Sequence, residues 1–196
     1  MYEVELKVRA DHAGVRDRLD ALEATHLGRV RQVDTYYDAP NRDFAKTDEA
    51  LRVREETTET GSRPEETTQG GETETRLTYK GPLVERESKT REEAETAVAD
   101  PGAMREILDG LGFEPAATVE KDRERYGLEG YTVTLDTVDG LGEFVEVETE
   151  VDGEAEVEAA REAATVLLER LGLDPDAGIR TSYLGLLLET AGGDGA

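Results

Sequence analysis

Glu3, Glu5 and Lys7 alternate with Val4, Leu6 and Val8, so in an extended chain two carboxylates and one ammonium leave one side and aliphatic groups leave the other. Paired carboxylates hold hard cations through oxygen, and an ammonium beside them meets the anion that such a cation carries. The division recurs along the chain. Arg52 and Arg54 oppose Leu51 and Val53, and Arg76 and Lys80 point to one side of a third segment. Lys121, Arg123 and Arg125 share a face; Thr132, Thr134 and Asp136 oppose Val133 and Leu135; Glu146, Glu148 and Glu150 oppose Val145 and Val147. Acids outnumber bases by 47 to 23, so solvated faces filled without selection would be mostly acidic. Bases concentrated on strands therefore imply an anion. Carboxylates and a polyanion share one cavity only with a cation between them. That points to a polyphosphate held with Mg²⁺ or Mn²⁺, and to phosphoryl or nucleotidyl transfer, which needs positioning and charge stabilisation more than covalent help.

The elements that must position these residues are mostly strands. Residues 2 to 8 form the first, and Asp11 then caps a helix carrying Val15, Leu19 and Leu22 on one stripe. Residues 28 to 38 read as a strand broken by Pro40-Asn41-Arg42-Asp43, and residues 50 to 55 as another. Residues 56 to 74 contain Thr, Glu, Gly and Gln but no aliphatic side chain, which predicts a mobile, acidic hairpin loop. Residues 76 to 80 form a strand ended by Gly81-Pro82, residues 85 to 98 alternate loosely as a strand, and Pro101 opens a helix carrying Met104, Ile107, Leu108 and Leu111. Strands over 116 to 128, 130 to 138 and 142 to 151 follow as a meander with turns at Glu129-Gly130 and Asp139-Gly140. Helices over 155 to 171 and 181 to 188 complete the set. The pattern predicts an α+β fold in one domain over residues 1–190, with a disordered tail at 191–196. Its antiparallel sheet is large enough to curl or close. If the aliphatic faces pack outward on helices, the charged faces line an interior; the alternative is a sheet with its charged faces in water.

Composition bounds the partners. With charged residues at 36% and aromatics at 5%, the core is lean and the surface heavily ionised. A net charge of -24 repels nucleic acids and anionic membranes, so neither is an expected partner. Lys appears only at 7, 46, 80, 89 and 121, and this acid-rich, Lys-poor balance resembles proteins from salt-loaded cytoplasms. Cysteine is absent and histidine occurs only at 12 and 26, which excludes a thiolate site and argues for an oxygen-ligated metal. The first residues enter the charged strand without a signal peptide, and no apolar run reaches membrane-spanning length, so a cytoplasmic location is expected.

The segment Glu3-x-Glu5-x-Lys7, followed in order by Leu51-Arg52-Val53-Arg54, Tyr79-Lys80-Gly81, Lys121-x-Arg123, Leu135-Asp136 and Gly142-x-Phe144-x-Glu146-x-Glu148, resembles the CYTH superfamily, the triphosphate tunnel metalloenzymes, across nearly the whole chain. Gln32-Val33-Asp34-Thr35-Tyr36-Tyr37-Asp38, Arg42-Asp43-Phe44, Thr47-Asp48-Glu49-Ala50-Leu51 and Ser182-Tyr183 look most like its class IV adenylate cyclase branch. The resemblance implies a closed or nearly closed eight-stranded antiparallel β-barrel with flanking helices, whose tunnel binds a nucleoside or inorganic triphosphate with Mg²⁺ or Mn²⁺. It implies Glu3, Glu5, Glu146 and Glu148 as metal ligands with Asp136 beside them. Lys7, Arg52, Arg54, Lys80, Lys121 and Arg123 would grip phosphate, and Lys7, Lys80 and Asp136 are the catalytic candidates. Arg91 is a further basic candidate.

Other residues read more plainly. Arg76 and Arg125 belong to a rim or to surface ion pairs, Glu150 to solvent, and Tyr36 and Tyr37 to packing. His12 and His26 have no partner motif. The expected reaction is cyclisation of ATP to 3′,5′-cyclic AMP with loss of pyrophosphate. Hydrolysis of inorganic, thiamine or nucleoside triphosphate would use the same residues, and a non-catalytic polyphosphate- or nucleotide-binding module is the third reading. Barrels of this kind can pair as homodimers, although no surface stripe demands it.

Overall fold

Strands that are aliphatic on one face and charged on the other can satisfy both faces by curling until the charged sides meet and the aliphatic sides take a coat of helices. The computed structural model describes residues 2–60, 69–83 and 91–193. Its elements run β1 (Tyr2–Arg9), α1 (His12–Ala21), β2 (Thr25–Asp38), α2 (Phe44–Thr47), β3 (Ala50–Thr60), β4 (Gln69–Leu83), β5 (Arg91–Ala97), α3 (Pro101–Gly110), β6 (Glu114–Leu128), β7 (Tyr131–Val138), β8 (Gly142–Val151), α4 (Glu154–Arg170) and α5 (Tyr183–Gly193), with a 3₁₀ turn at Pro175–Ala177 before the last helix. The strands form a closed barrel in the order β1-β5-β4-β3-β2-β6-β7-β8, and every pairing is antiparallel.

The aliphatic faces do pack outward. Val8, Val133, Leu135, Val145 and Val147 meet Val15 and Leu19 of α1 and Ala164, Leu167 and Leu168 of α4. Val4 packs on Val157 and Ala160 of α4. Val119, Val138 and Phe144 are covered by Tyr183 and by Leu184, Leu186 and Leu187 of α5. Local chemistry fixes the ends of these elements. Asp11 accepts the Ala13 amide at 3.0 Å to cap α1 and Asp100 accepts the Ala103 amide at 2.9 Å to cap α3. Leu128 pairs with Tyr131, leaving Glu129 and Gly130 as a two-residue turn with positive φ at both (53° and 86°), as a type I′ hairpin requires.

Several expectations need correction. The polar 56–74 segment is in large part strand: Glu56 pairs with Glu74, Thr57 with Thr73 and Thr60 with Gln69, and on its other side β3 stays paired with β2 as far as Thr58, opposite Val30, so β3 and β4 run on past the end of the expected 50–55 strand. Ladder hydrogen bonds and β-branched Thr suffice there, helped by the Thr57–Thr73 hydroxyl contact at 2.8 Å. The centre of that segment, 61–68, lies outside the described residues, as do 84–90 of the expected 85–98 strand and 194–196 of the tail. Gly81-Pro82 does not end β4; the strand reaches Leu83 across a register shift, the kind of irregularity at which Pro is tolerated. Residues 191–193 belong to α5 rather than to a tail. On α3 the expected apolar stripe is only half used: Leu108 is buried, whereas Ile107 and Leu111 are 55% and 63% exposed.

With 47 acids against 23 bases, like-charge repulsion opposes the compact state and is screened by salt. Thermal unfolding followed by circular dichroism is expected to show Tm rising by on the order of 10 °C between about 0.1 M and 2 M KCl; a flat or falling Tm would contradict this reading.

Candidate functional site

The barrel encloses a cavity of about 990 Å³ whose lining includes Glu3, Glu5, Lys7, Arg52, Arg54, Lys80, Lys121, Arg123, Glu146 and Glu148. The sequence-predicted site residues are thus brought together, with one exception. Asp136 is fully buried but sits behind the lining. It pairs across the ladder with Arg123, whose Nε and NH2 donate to both its oxygens at 2.7 and 2.6 Å. Lys121 Nζ lies 3.6 Å away, and Tyr183 donates its hydroxyl at 3.0 Å. Asp136 therefore does not stand beside the acids of β1.

Those acids divide in two. Glu3, Glu5 and Glu148 each offer a carboxylate oxygen, all within 4.8 Å of one another. Glu148 pairs directly with Glu5 across β1 and β8, and burial together with Glu3, Glu146 and Glu5 pushes its pKa well above the ordinary carboxylate range despite Arg123. A crowded all-oxygen set of three carboxylates fits a hard divalent cation such as Mg²⁺ or Mn²⁺. Glu146, one step along β8, turns instead to the Arg123 guanidinium, which donates to it. Burial alone would raise its pKa, but Arg123, Lys121, Lys7 and the Tyr183 hydroxyl hold it well below the usual value.

The bases differ in how far they are already matched. Arg123 is engaged by Asp136 and Glu146, and Lys80 by Glu3 at 3.0 Å and by Glu93. Lys7 is 2% exposed, yet its carboxylate contact is Glu5 at 4.0 Å. Lys7 and Lys121 both lie near the Tyr183 ring, with Nζ 4.3 and 5.0 Å from its centroid. Burial, then the neighbouring Arg123, lowers the Lys121 pKa to about 8, with Asp136 only partly offsetting them. Buried, under-matched cations sharing a lumen with a carboxylate cluster are suited to a polyanion with its metal.

Several lining residues were not singled out from sequence. Glu93 and Glu95 on β5 line the cavity with Arg91; the period-two spacing of 91, 93 and 95 was the available signal. Burial raises the Glu93 pKa, with Glu3 adding to the effect and Lys80 opposing it. Arg91 itself is buried and donates to the Asp48 carbonyl at 2.7 Å, which ties the end of α2 to the barrel mouth. Tyr183 stands out in the sequence only within the Ser182-Tyr183 pair, and its place beside two ammonium groups depends on how α5 docks. Arg76 and Arg125 pair with Glu74 and Glu56. Glu150 is exposed at the edge of the cavity, Tyr37 is buried against Val53 and Leu108, and Tyr36 both packs and lines the cavity. His12 contacts the Phe144 carbonyl at 3.0 Å and His26 lies 3.3 Å from Glu124, both away from the lumen.

Fold and lumen together define a barrel of the triphosphate-tunnel type. The chain belongs to the CYTH domain family, whose model matches residues 1–183. It is 36% identical over 187 residues, 95% of this chain and 98% of the other, to a Methanocaldococcus jannaschii protein named "Putative adenylate cyclase MJ0240". Among solved structures it resembles the PH1819 protein of Pyrococcus horikoshii OT3, with a TM-score of 0.84, 40% identity, and coverage of 96% of this chain and 99% of that one. The fold also matches HpAC1 of Hippeastrum, described as a "putative adenylyl cyclase" with a dominant triphosphatase activity. There the TM-score is 0.55 and the identity 21%, over 88% of each chain.

The Lys121 ammonium carries a stability consequence. Below pH 8 both the folded and the unfolded chain hold its proton, so the burial cost is fully present. Between about 8 and the ordinary value of 10.5 the unfolded chain binds more protons than the folded one, and this group's contribution makes stability rise with pH. Lys121→Met is therefore expected to be more stable than wild type at pH 7 by on the order of 3 kcal/mol, with the gap narrowing by pH 10, as read by urea unfolding. A gap that widens with pH would contradict the assignment.

Proposed function

We propose that this protein is a metal-dependent triphosphate-processing enzyme whose substrate is a nucleoside triphosphate, with ATP cyclisation to 3′,5′-cyclic AMP and pyrophosphate as its reaction. The observation that carries this reading is the two-part lining of the cavity. Besides its charged residues, the lining includes Tyr36, Phe44, Ala116, Ala117, Leu184 and Leu188. Inorganic triphosphate has no use for apolar lining, whereas a nucleoside packs against it. The 36% identical archaeal relative named as a cyclase supports the same reading.

Glu3, Glu5 and Glu148 would hold the divalent ion, with Glu146 adjacent. A bound divalent cation would supply Lewis-acid chemistry there, offsetting phosphate charge and acidifying a nearby hydroxyl. Lys7 meets phosphate charge from the same strand as Glu3 and Glu5, Arg52 and Lys121 meet it from β3 and β6, and Lys80 meets it from beside Glu3. Fixed cations of this kind favour the charge that develops on a leaving pyrophosphate without reorganising during the reaction. Burial of these groups keeps water from competing with an intramolecular hydroxyl for the α-phosphorus, and a nucleoside packed on the apolar lining residues presents its 3′-hydroxyl in one orientation.

Purified protein incubated at high salt with Mg²⁺ or Mn²⁺ and, separately, ATP, tripolyphosphate and thiamine triphosphate is expected to yield cyclic AMP and pyrophosphate from ATP. Orthophosphate without cyclic nucleotide would replace the cyclase by a triphosphatase, and tight binding without turnover under either metal would leave a binding module. Turnover should vanish with excess EDTA. Glu5→Gln and Glu148→Gln are expected to lower it by about 100-fold or more while the barrel remains folded by circular dichroism; full metal-dependent turnover in both would remove them as ligands.

A further inference from the structure

Arg52 and Arg54 project from the same face of β3, two residues apart, and their sequence neighbours give no reason to treat them differently. The structure does. Arg54 lies directly across the ladder from Asp34 on β2, and its Nε and NH2 donate to both oxygens of that carboxylate at 2.6 and 2.7 Å. Arg52 reaches the same carboxylate only through NH1 at 3.5 Å and Thr78 Oγ1 through NH2 at 3.2 Å. Its Nε is buried and has no hydrogen-bond partner among the described residues. Asp34 is 1% exposed. Both arginines line the cavity and Asp34 does not.

A bidentate carboxylate takes two of the donors with which a guanidinium would clasp a phosphate, whereas a buried guanidinium with an unused Nε is costly until an anion arrives. We propose that Asp34 is a positioning residue: it commits Arg54 to the barrel wall and so leaves Arg52 as the guanidinium that meets the triphosphate. The arrangement repeats on the neighbouring strands β6 and β7, where Asp136 holds Arg123 by the same two-point contact. Each aspartate stands one layer behind the lining and spends its charge on an arginine rather than on a metal. The proposal rests on the triphosphate reading above. It adds that the two arginines of the Leu51-Arg52-Val53-Arg54 segment have separate tasks, and that Asp34 assigns them.

The test follows arginine Nε–H signals in ¹H–¹⁵N spectra of the full-length wild-type chain at high KCl, with Arg52→Lys and Arg54→Lys used for assignment. Mg²⁺ and tripolyphosphate are then titrated, and binding is measured in parallel by calorimetry. The Arg54 signal is expected to exchange slowly with water and to move little. The Arg52 signal is expected to shift and to become protected as tripolyphosphate binds. In Asp34→Asn the Arg54 signal should lose protection, and kcat for ATP should fall about tenfold or more without a rise in KM, because the anion is still attracted by freed guanidinium groups but no longer held in one register. Binding with an Arg54 shift as large as that of Arg52, or binding without an Arg52 response, would overturn the division of tasks while leaving the triphosphate reading intact. No calorimetric binding by wild type would overturn both. The wild-type titration decides even if Asp34→Asn does not fold.

Discussion

Closing the sheet removes water from a dozen or so charged side chains at once, and the rest of the structure depends on how that charge is matched. An ion taken from water into a protein interior costs several kcal/mol unless good geometry returns it. The barrel answers with cross-strand pairs between neighbouring strands: Asp34 with Arg54 across β2 and β3, and Asp136 with Arg123 across β6 and β7. These pairs are possible because period-two alternation sends facing residues on adjacent strands to the same side at a separation that charged side chains can bridge.

Matching is deliberately incomplete on the inner surface. Behind the lining, the aspartates are saturated. On it, Glu3, Glu5 and Glu148 crowd negative charge together while Lys7, Arg52 and Lys121 keep donors that no carboxylate fully uses. The two imbalances are opposite in sign and share one cavity. A metal-bound polyphosphate would complete both, which links the energetics of the fold to the chemistry of the site. The outer aliphatic faces and their helices supply the stability against which this internal imbalance stands.

Much of this was legible in the strands. Alternation in residues 2–8, 50–55, 131–138 and 142–151 gave both the direction of the side chains and the need for an interior, because period two is a purely local property of the extended chain. The continuation of β3 and β4 through Glu56–Thr60 and Gln69–Glu74 was not legible, since ladder hydrogen bonds hold it and its side chains leave no hydrophobic pattern to find. Glu93 and Glu95 were hidden by a segment in which both faces are polar. The short helix α2, built on the Asp43 cap, lay where Pro40 and Asn41 suggested only a break.

The sequence by itself determined which residues share a face, that the charged faces oppose aliphatic ones, and that acids and bases together call for a cation and an anion, because each of these follows from residue type and spacing along one strand. Strand order, register and the docking of α5 decided the rest. They set Glu148 rather than Glu146 among the acids of β1, placed Asp136 on Arg123, brought Tyr183 beneath Lys7 and Lys121, and separated Arg52 from Arg54. Those relations join residues as much as 176 positions apart, from Lys7 to Tyr183, and distance across a barrel is fixed by closure and shear, which no local pattern encodes.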